Sequence, residues 1–406
     1  MTVQQKAFKS RRRYNQWVTN QTLEDFALRY TPVSARRWSA KQVVMTALSA
    51  ITFLALEAIG GALTLTYGFN YVVVAVILVS IIIFALSMPI AINAAKNGLD
   101  IDLLTRGAGF GYLGSTVTSL IYASFTFIFF ALEAAIMAMA LNMLFGLPLH
   151  FGYLIGSVVV IPLVTWGFTF ISRFQQFTQF CWLALQLLPF IFILIREHHV
   201  LQNWIDFPGF ITARDGSFDF LQLGAVCSVL LSLVSQVGEQ VDQVRFLPKP
   251  QHPARWRWYG AVIAAGPGWV VIGAIKILLG SFLAVLAFNY GLGAELASEP
   301  THMYLVAFSY VTHSSSTLLA LTGIFVVLSQ LKINVTNAYA GSIAWSNFFL
   351  RLTHRHPGRV VWLFFNVGIA LLLMELGVYR VFEDILGIYA VAATSWLGSC
   401  LLYTSP

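Results

Sequence analysis

Leu54-Ala55-Leu56-Glu57-Ala58-Ile59-Gly60-Gly61 lies in the middle of an apolar run that extends from about residue 43 to 68. A run of that length matches the roughly 20 residues an α-helix needs to cross the hydrocarbon core of a bilayer. The octapeptide places a carboxyl group and two helix-weakening glycines at a depth where both need a reason. Two readings fit. The helix unwinds here and offers main-chain groups to an ion or solute, or the small pair lets a neighbouring helix pack closely.

Nine more apolar segments follow, at about 70–93, 111–145, 151–171, 177–195, 221–246, 259–289, 314–350, 360–380 and 383–400. Hydrophobic residues fill 58% of the 406 positions and charged residues only 10%, against roughly a quarter charged in soluble domains. That excludes a soluble enzyme and gives an all-α polytopic membrane protein with about ten transmembrane helices. Segments three and eight are too long for one straight span, so each must tilt, break or continue along the interface. A break is expected in the eighth.

The formal charge of +7 is no sign of nucleic acid, because the excess lies in an N-terminal arm and a few short loops. Residues 1–42 are polar and basic (Lys6, Lys9, Arg11, Arg12, Arg13, Arg36, Arg37) and carry no signal-peptide core. With the arm inside, the inner loops hold Lys96, Arg106, Arg173, Lys249, Arg255, Arg257, Arg351, Arg355 and Arg359. The outer ones hold Asp206, Asp215, Asp219, Glu295 and Glu299. The positive-inside rule is obeyed, and the expected location is a bacterial inner membrane with the N-terminus cytoplasmic.

Cys181, Cys227 and Cys400 are far apart inside apolar runs, so no disulfide, metal or cofactor is suggested. The expected organisation is a basic arm over 1–42 and a transporter-like membrane domain over 43–400. The closing residues 400–406 read as translated adapter sequence, which would leave the domain cut short at its C-terminal end.

Ionisable groups at membrane depth cost about 2.5–3.5 kcal/mol each on insertion scales. Six stand out: Glu57, Glu133, Glu239, Asp242, Lys276 and Lys332. In segment six, Ser235-Gln236-Val237-Gly238-Glu239-Gln240-Val241-Asp242 is a dense polar run that neighbouring helices must satisfy. Asp242 and Arg245, three apart on one face, are expected to form a structural pair. Segment eight carries Ser329 through Asn337, including Lys332, Asn334 and Asn337, and a lysine there must pair, lose its proton or snorkel to the interface. Phe125, Phe127, Phe129 and Phe130 in segment three are an aromatic stripe suited to a flat ring. The loop histidines His198, His199, His354 and His356 are expected to be solvated.

Several stretches resemble the nucleobase:cation symporter family, whose members include cytosine, purine and hydantoin permeases. They are Asp25 to Val33 followed by Ser34-Ala35-Arg36-Arg37-Trp38, then Gly98 to Gly107, Asp242-Gln243-Val244-Arg245-Phe246, and Asn334 to Tyr339 running on to Trp345-Ser346-Asn347. The resemblance implies the leucine-transporter-type inverted-repeat fold, with helices one and six unwound and substrate held between helices one, three, six and eight. Thr126 and Phe129 match the family's base-holding positions on helix three, so an aromatic ring is kept and an amide lost. Lys332 and Ile333 match the hydroxyl residues that help hold sodium.

The implied function is transport of a nucleobase-like small nitrogenous solute by alternating access. Phe129 would stack on the ring, and Glu57, Gly60, Gly61, Thr126, Glu133, Gln236, Gly238, Glu239, Asn334 and Asn337 would line the site. Lys332 is expected to occupy the sodium position and pair with Glu57, leaving transport sodium-independent, with the proton as the candidate coupling ion. The alternative is a membrane-embedded sensing domain for a histidine kinase. No enzymatic activity is expected of the chain as it stands.

Overall fold

The structure, a computed structural model, describes residues 13–14, 23, 25, 27, 30–36, 38–197, 199–211, 218–250 and 255–404. Lys6, Lys9, Arg11, Arg12, Arg37, His198, Asp215 and the final Ser405-Pro406 lie outside the described residues.

Crossing one is two half-helices, α1 (Ala40–Ser49) and α2 (Ala55–Tyr67). Ser39 caps α1, its hydroxyl accepting from the Gln42 amide at 3.2 Å, a favourable start for a helix. Crossing two is α3 (Phe69–Asn97). It stops at Gly98, whose φ of 69° a glycine adopts without strain. A short α4 (Ile101–Thr105) and a kinked turn over 106–110 lead into crossing three, α5 (Gly111–Phe145).

Crossing four is α6 (Leu149–Val158) with α7 (Val160–Thr165), and crossing five is α8 (Phe168–Arg196). After the short α9 (Val200–Ile205), crossing six runs through α10 (Phe220–Leu231), a 3-10 turn over Ser232–Ser235 and α11 (Gln236–Val244). Crossing seven is α12 (Arg255–Ala265) with α13 (Trp269–Asn289). A hairpin of α14 (Ala294–Ala297) and α15 (Pro300–Ser309) precedes crossing eight, α16 (Ser315–Thr353). Crossings nine and ten are α17 (Arg359–Glu375) and α18 (Phe382–Thr404).

Six stretches, Phe69–Asn97, Ile101–Phe145, Phe168–Arg196, Phe220–Val244, Arg255–Asn289 and Ser315–Thr353, are by themselves long and apolar enough to span a membrane. Burial confirms a lipid solvent: Ile77 and Ile81 on α3 and Phe177 on α8 face outward, Phe177 at 88% exposure, while Glu57, Glu133, Lys332 and Asn334 are at 0%. A soluble protein does the reverse.

Three expectations about helix breaks need correction. Crossing one does break, but over residues 50–54, ahead of Gly60-Gly61, which are helical. Crossing six does not unwind; it tightens into a 3-10 turn whose residues stay right-handed. Crossing eight is unbroken: α16 is one helix of 39 residues, about 58 Å at 1.5 Å per residue, packed along α5. Several of its polar residues, Lys332 and Asn347 among them, find partners on neighbouring segments without its backbone opening.

The end of the bundle that carries the N-terminal arm is tied together by charge. Residues 13–14 pair in parallel with 355–356. The Thr31 amide donates to the Gly98 carbonyl at 2.8 Å, and Arg36 donates to the Ala95 carbonyl at 3.1 Å. Asp25 accepts from the Arg359 amide at 2.8 Å and lies 3.1 Å from His356 Nε2. Burial alone would raise the Asp25 carboxyl, but the hydrogen bond and charge of His356, with the Arg359 amide and guanidinium, hold it below the usual carboxylate range. The expectation of a solvated His356 is therefore wrong: the ring is buried because it answers Asp25. His199 and His354 are exposed.

Candidate functional site

The break in crossing one leaves the first amides of α2 without helical partners. Leu54, at its N-cap, has no side chain able to cap. The cap comes from α5: Glu133 Oε2 accepts from the Leu54 amide and Oε1 from the Ala55 amide, each at 3.2 Å. Gln330 Oε1 of α16 lies 3.5 Å from the same Leu54 amide, and Thr52 Oγ1 donates to the Ser329 carbonyl at 2.9 Å. Crossings one, three and eight thus meet at the break.

One turn before Glu133 on α5, Phe129 presents its ring to this junction. Phe53, inside the break, meets it edge to face with centroids 6.3 Å apart, and Phe125 lies at 4.6 Å. Phe127 is elsewhere, stacked on Trp345. Thr126 also turns away, donating to the Ala123 carbonyl at 2.7 Å, with Asn366 Oδ1 of α17 the other acceptor in reach at 3.3 Å. The polar side chain that α5 gives to the junction is Glu133, and the placement of Thr126 in the site is corrected. A helix repeats its face at i+4, which pairs Phe129 with Glu133.

Crossing six supplies buried polar groups. Gln236 Nε2 donates to Glu239 Oε2 at 2.6 Å, while Glu239 Oε1 and the Gln240 carboxamide have no protein partner among the described residues. On α16, Asn337 Nδ2 donates to Asn334 Oδ1 at 3.4 Å, leaving Asn334 Nδ2 without one. Polar atoms left unpaired in the interior cost about 1–3 kcal/mol each, which marks places where water or solute belongs. Gly238 instead serves packing, since a Cβ there would lie 2.5 Å from the Tyr122 ring.

Glu57 does not pair with Lys332. Its Oε1 accepts from Lys276 Nζ at 2.6 Å and from the Tyr304 hydroxyl at 3.2 Å. Lys276 also lies over the Trp182 ring, 5.5 Å from its centroid, and Gln186 donates to the Tyr304 hydroxyl at 2.7 Å. The register is set by glycines. A Cβ on Gly60 would strike the Ile277 carbonyl, one on Gly280 would strike the Glu57 backbone, and one on Gly61 would press on Ala284 at 2.9 Å. Gly60 and Gly61 therefore pack α2 against α13, the second of the two sequence readings. Lys332 turns the other way, to α8, donating to the Gln175 carbonyl and to Thr178 Oγ1, both at 3.0 Å.

Asp242 and Arg245 are neighbours, but their carboxylate–guanidinium pair is also corrected. Arg245 Nε donates to the Asp242 main-chain carbonyl at 3.1 Å, the Asp242 carboxylate accepts from Tyr122 at 3.1 Å, and the ion partner of Arg245 is Asp100, at 3.6 Å. Beside it, Asp102 accepts from Ser119 and Asn347 and lies 3.7 Å from Arg351, which donates to the Ser115 carbonyl at 2.5 Å. These two buried pairs close the arm end of the bundle. Sequence inspection missed Arg351, taken for a loop charge, and gave Lys276 no partner. Among the described residues no His, Cys, Asp and Glu cluster could hold a metal ion.

No family model matches the sequence, and no curated protein does. Solved structures do. Mhp1, a nucleobase-cation-symport-1 family transporter captured in a closed conformation with bromovinylhydantoin bound, aligns at a TM-score of 0.65 with 17% identity, over 89% of this chain and 77% of Mhp1. This is the leucine-transporter-type fold. A Na+-coupled sialic acid symporter in a substrate-bound outward-open state shares it at a TM-score of 0.63 and 13% identity, over 94% of this chain and 82% of the symporter. The Eremococcus coleocola manganese transporter, in complex with an aromatic bis-isothiourea substituted compound, follows at 0.54 and 13%, over 88% and 76%. In leucine-transporter-type proteins the central site forms at discontinuous helices near the bilayer midplane.

Proposed function

We propose that this chain moves a small, flat, nitrogen-rich solute of nucleobase type across a bacterial inner membrane by alternating access, independently of sodium, with its arm end in the cytoplasm. The observation that carries this reading is the break over residues 50–54, faced by the Phe129 ring and capped by Glu133, in a bundle where Glu239 of α11 and Asn334, one turn from Gln330 on α16, are buried with polar atoms that lack protein partners among the described residues. A ring-shaped solute would stack on Phe129 and meet Glu239 and Asn334 along its edge, with Gln236 and Asn337 holding those two in place. Sodium independence is supported by Lys332, whose ammonium takes a main-chain carbonyl and a threonine hydroxyl, the oxygen types a hard cation would use. The sensor reading has no observation that favours it over transport.

The test is uptake of labelled uracil, cytosine, hypoxanthine and hydantoin by bacterial cells lacking their own nucleobase permeases. Accumulation of at least one, unchanged when choline replaces sodium and reduced when the proton gradient is collapsed, is the expected result. No uptake of any of the four sinks the nucleobase reading, and sodium-stimulated uptake sinks the role given to Lys332.

A further inference from the structure

The amino end of a half-helix at membrane depth is where leucine-transporter-type proteins can seat an anionic group of the solute, because free amides and the helix dipole both point there. In this chain the seat is already taken. Both oxygens of Glu133, a side chain at 0% exposure, accept the Leu54 and Ala55 amides. They arrive from a helix 79 residues away in sequence, in a segment whose own N-cap residue offers nothing. A solute carboxylate brought to the same amides would have to displace a tethered side chain whose two oxygens already take both of them, and two carboxyl groups that close in a poorly solvated site cannot both carry charge without a large cost.

We propose that Glu133 is a specificity-determining residue that fills the anion seat of crossing one and so excludes carboxylate-bearing solutes from the central site, reserving it for neutral or cationic ones. This rests on the transport reading for its biological meaning, but its physical content is a binding property of the folded chain. Phe129, one turn earlier on the same face, places an aromatic ring beside the seat, so an aromatic carboxylate is the sharpest probe.

The experiment measures binding of benzoate and of its neutral isostere benzamide to the detergent-purified full chain, by thermal shift and equilibrium titration. Wild type, Glu133→Ala and Glu133→Gln are compared. Benzoate is expected to leave wild type unmoved. It should stabilise Glu133→Ala saturably, its carboxylate replacing the lost cap. It should bind Glu133→Gln at least tenfold more tightly than wild type, because a carboxamide cannot ionise and its Nε2 can donate to the benzoate while its oxygen still caps the helix. Benzamide should show no such gain. If Glu133→Ala does not fold without benzoate, the Gln variant alone decides. The proposal is overturned if benzoate binds wild type as tightly as the variants, if neither variant gains affinity, or if benzamide gains as much as benzoate. Because the readout is binding rather than uptake, its failure leaves the transport reading standing, and a chain that carried no nucleobase would still show the effect.

Discussion

Lys276→Met removes the ammonium that answers Glu57. The pair is 2.6 Å apart with side chains at 3% and 0% exposure. What remains for Glu57 is the Tyr304 hydroxyl at 3.2 Å, since its Oε2 has no partner among the described residues. At an effective dielectric constant of about 20, two unit charges about 4 Å apart attract by about 4 kcal/mol, and breaking a buried pair from one side costs about 3–5 kcal/mol because the survivor stays buried. Lys276→Met and Glu57→Gln should each lower the stability of the detergent-purified protein by that amount. The double variant, which buries no unpaired charge, should recover most of the loss. Denaturant titration of all four proteins gives the coupling energy, expected to be at least about 2 kcal/mol. If the two single losses simply add, the pair contributes nothing as a pair and the assignment of Lys276 as the partner of Glu57 is wrong.

Phe129→Ala should weaken solute binding roughly 5- to 150-fold, taking about 1–3 kcal/mol for an aromatic face stacked on a base, while Phe129→Trp should keep binding. A titration that leaves the Ala variant unchanged removes Phe129 from the site. At the arm end, the depressed Asp25 carboxyl contributes stability that is fully present above the ordinary carboxylate pKa and is lost as pH falls through its lower folded value. Proteolysis of the arm should therefore accelerate in that acidic window, and Asp25→Asn should make it fast at every pH. Arg351→Gln should leave Asp102 buried with only Ser119 and Asn347 and loosen the closed arm end. A cysteine placed at Ser115 should then react with a thiol reagent at least tenfold faster than in the parent, and an unchanged rate would mean that the pair does not hold that end shut.

The membrane class and the ten crossings were legible because lipid imposes composition directly. The segment drawn at 111–145 is the helix found there. What misled was any feature whose meaning depends on two bodies. Residues 50–54 contain neither glycine nor proline, so nothing local announces the break, which is stabilised by the Glu133 carboxyl and by α16. Gly60-Gly61 does look like a break, yet its partner is the backbone of α13. Glu57 was expected to meet Lys332, but the contact of Gly280 with the Glu57 backbone places Lys276 one turn away on α13 and against the carboxyl instead. Spacing alone did not separate Thr126 from Glu133, since residues three and four away both share the face of Phe129; the contacts of Thr126 with Ala123 and Asn366 turn it away.

The glycine contact between α2 and α13 also has a mechanical meaning. With no room for a methyl group at Gly60 or Gly280, the two helices mesh like gear teeth, and neither slides along the other without backbone meeting backbone. If the proposed transport cycle rocks the two together, the break over 50–54 is the fulcrum, and a solute seated beside it would rest where a small rotation moves it least while the far tips travel furthest.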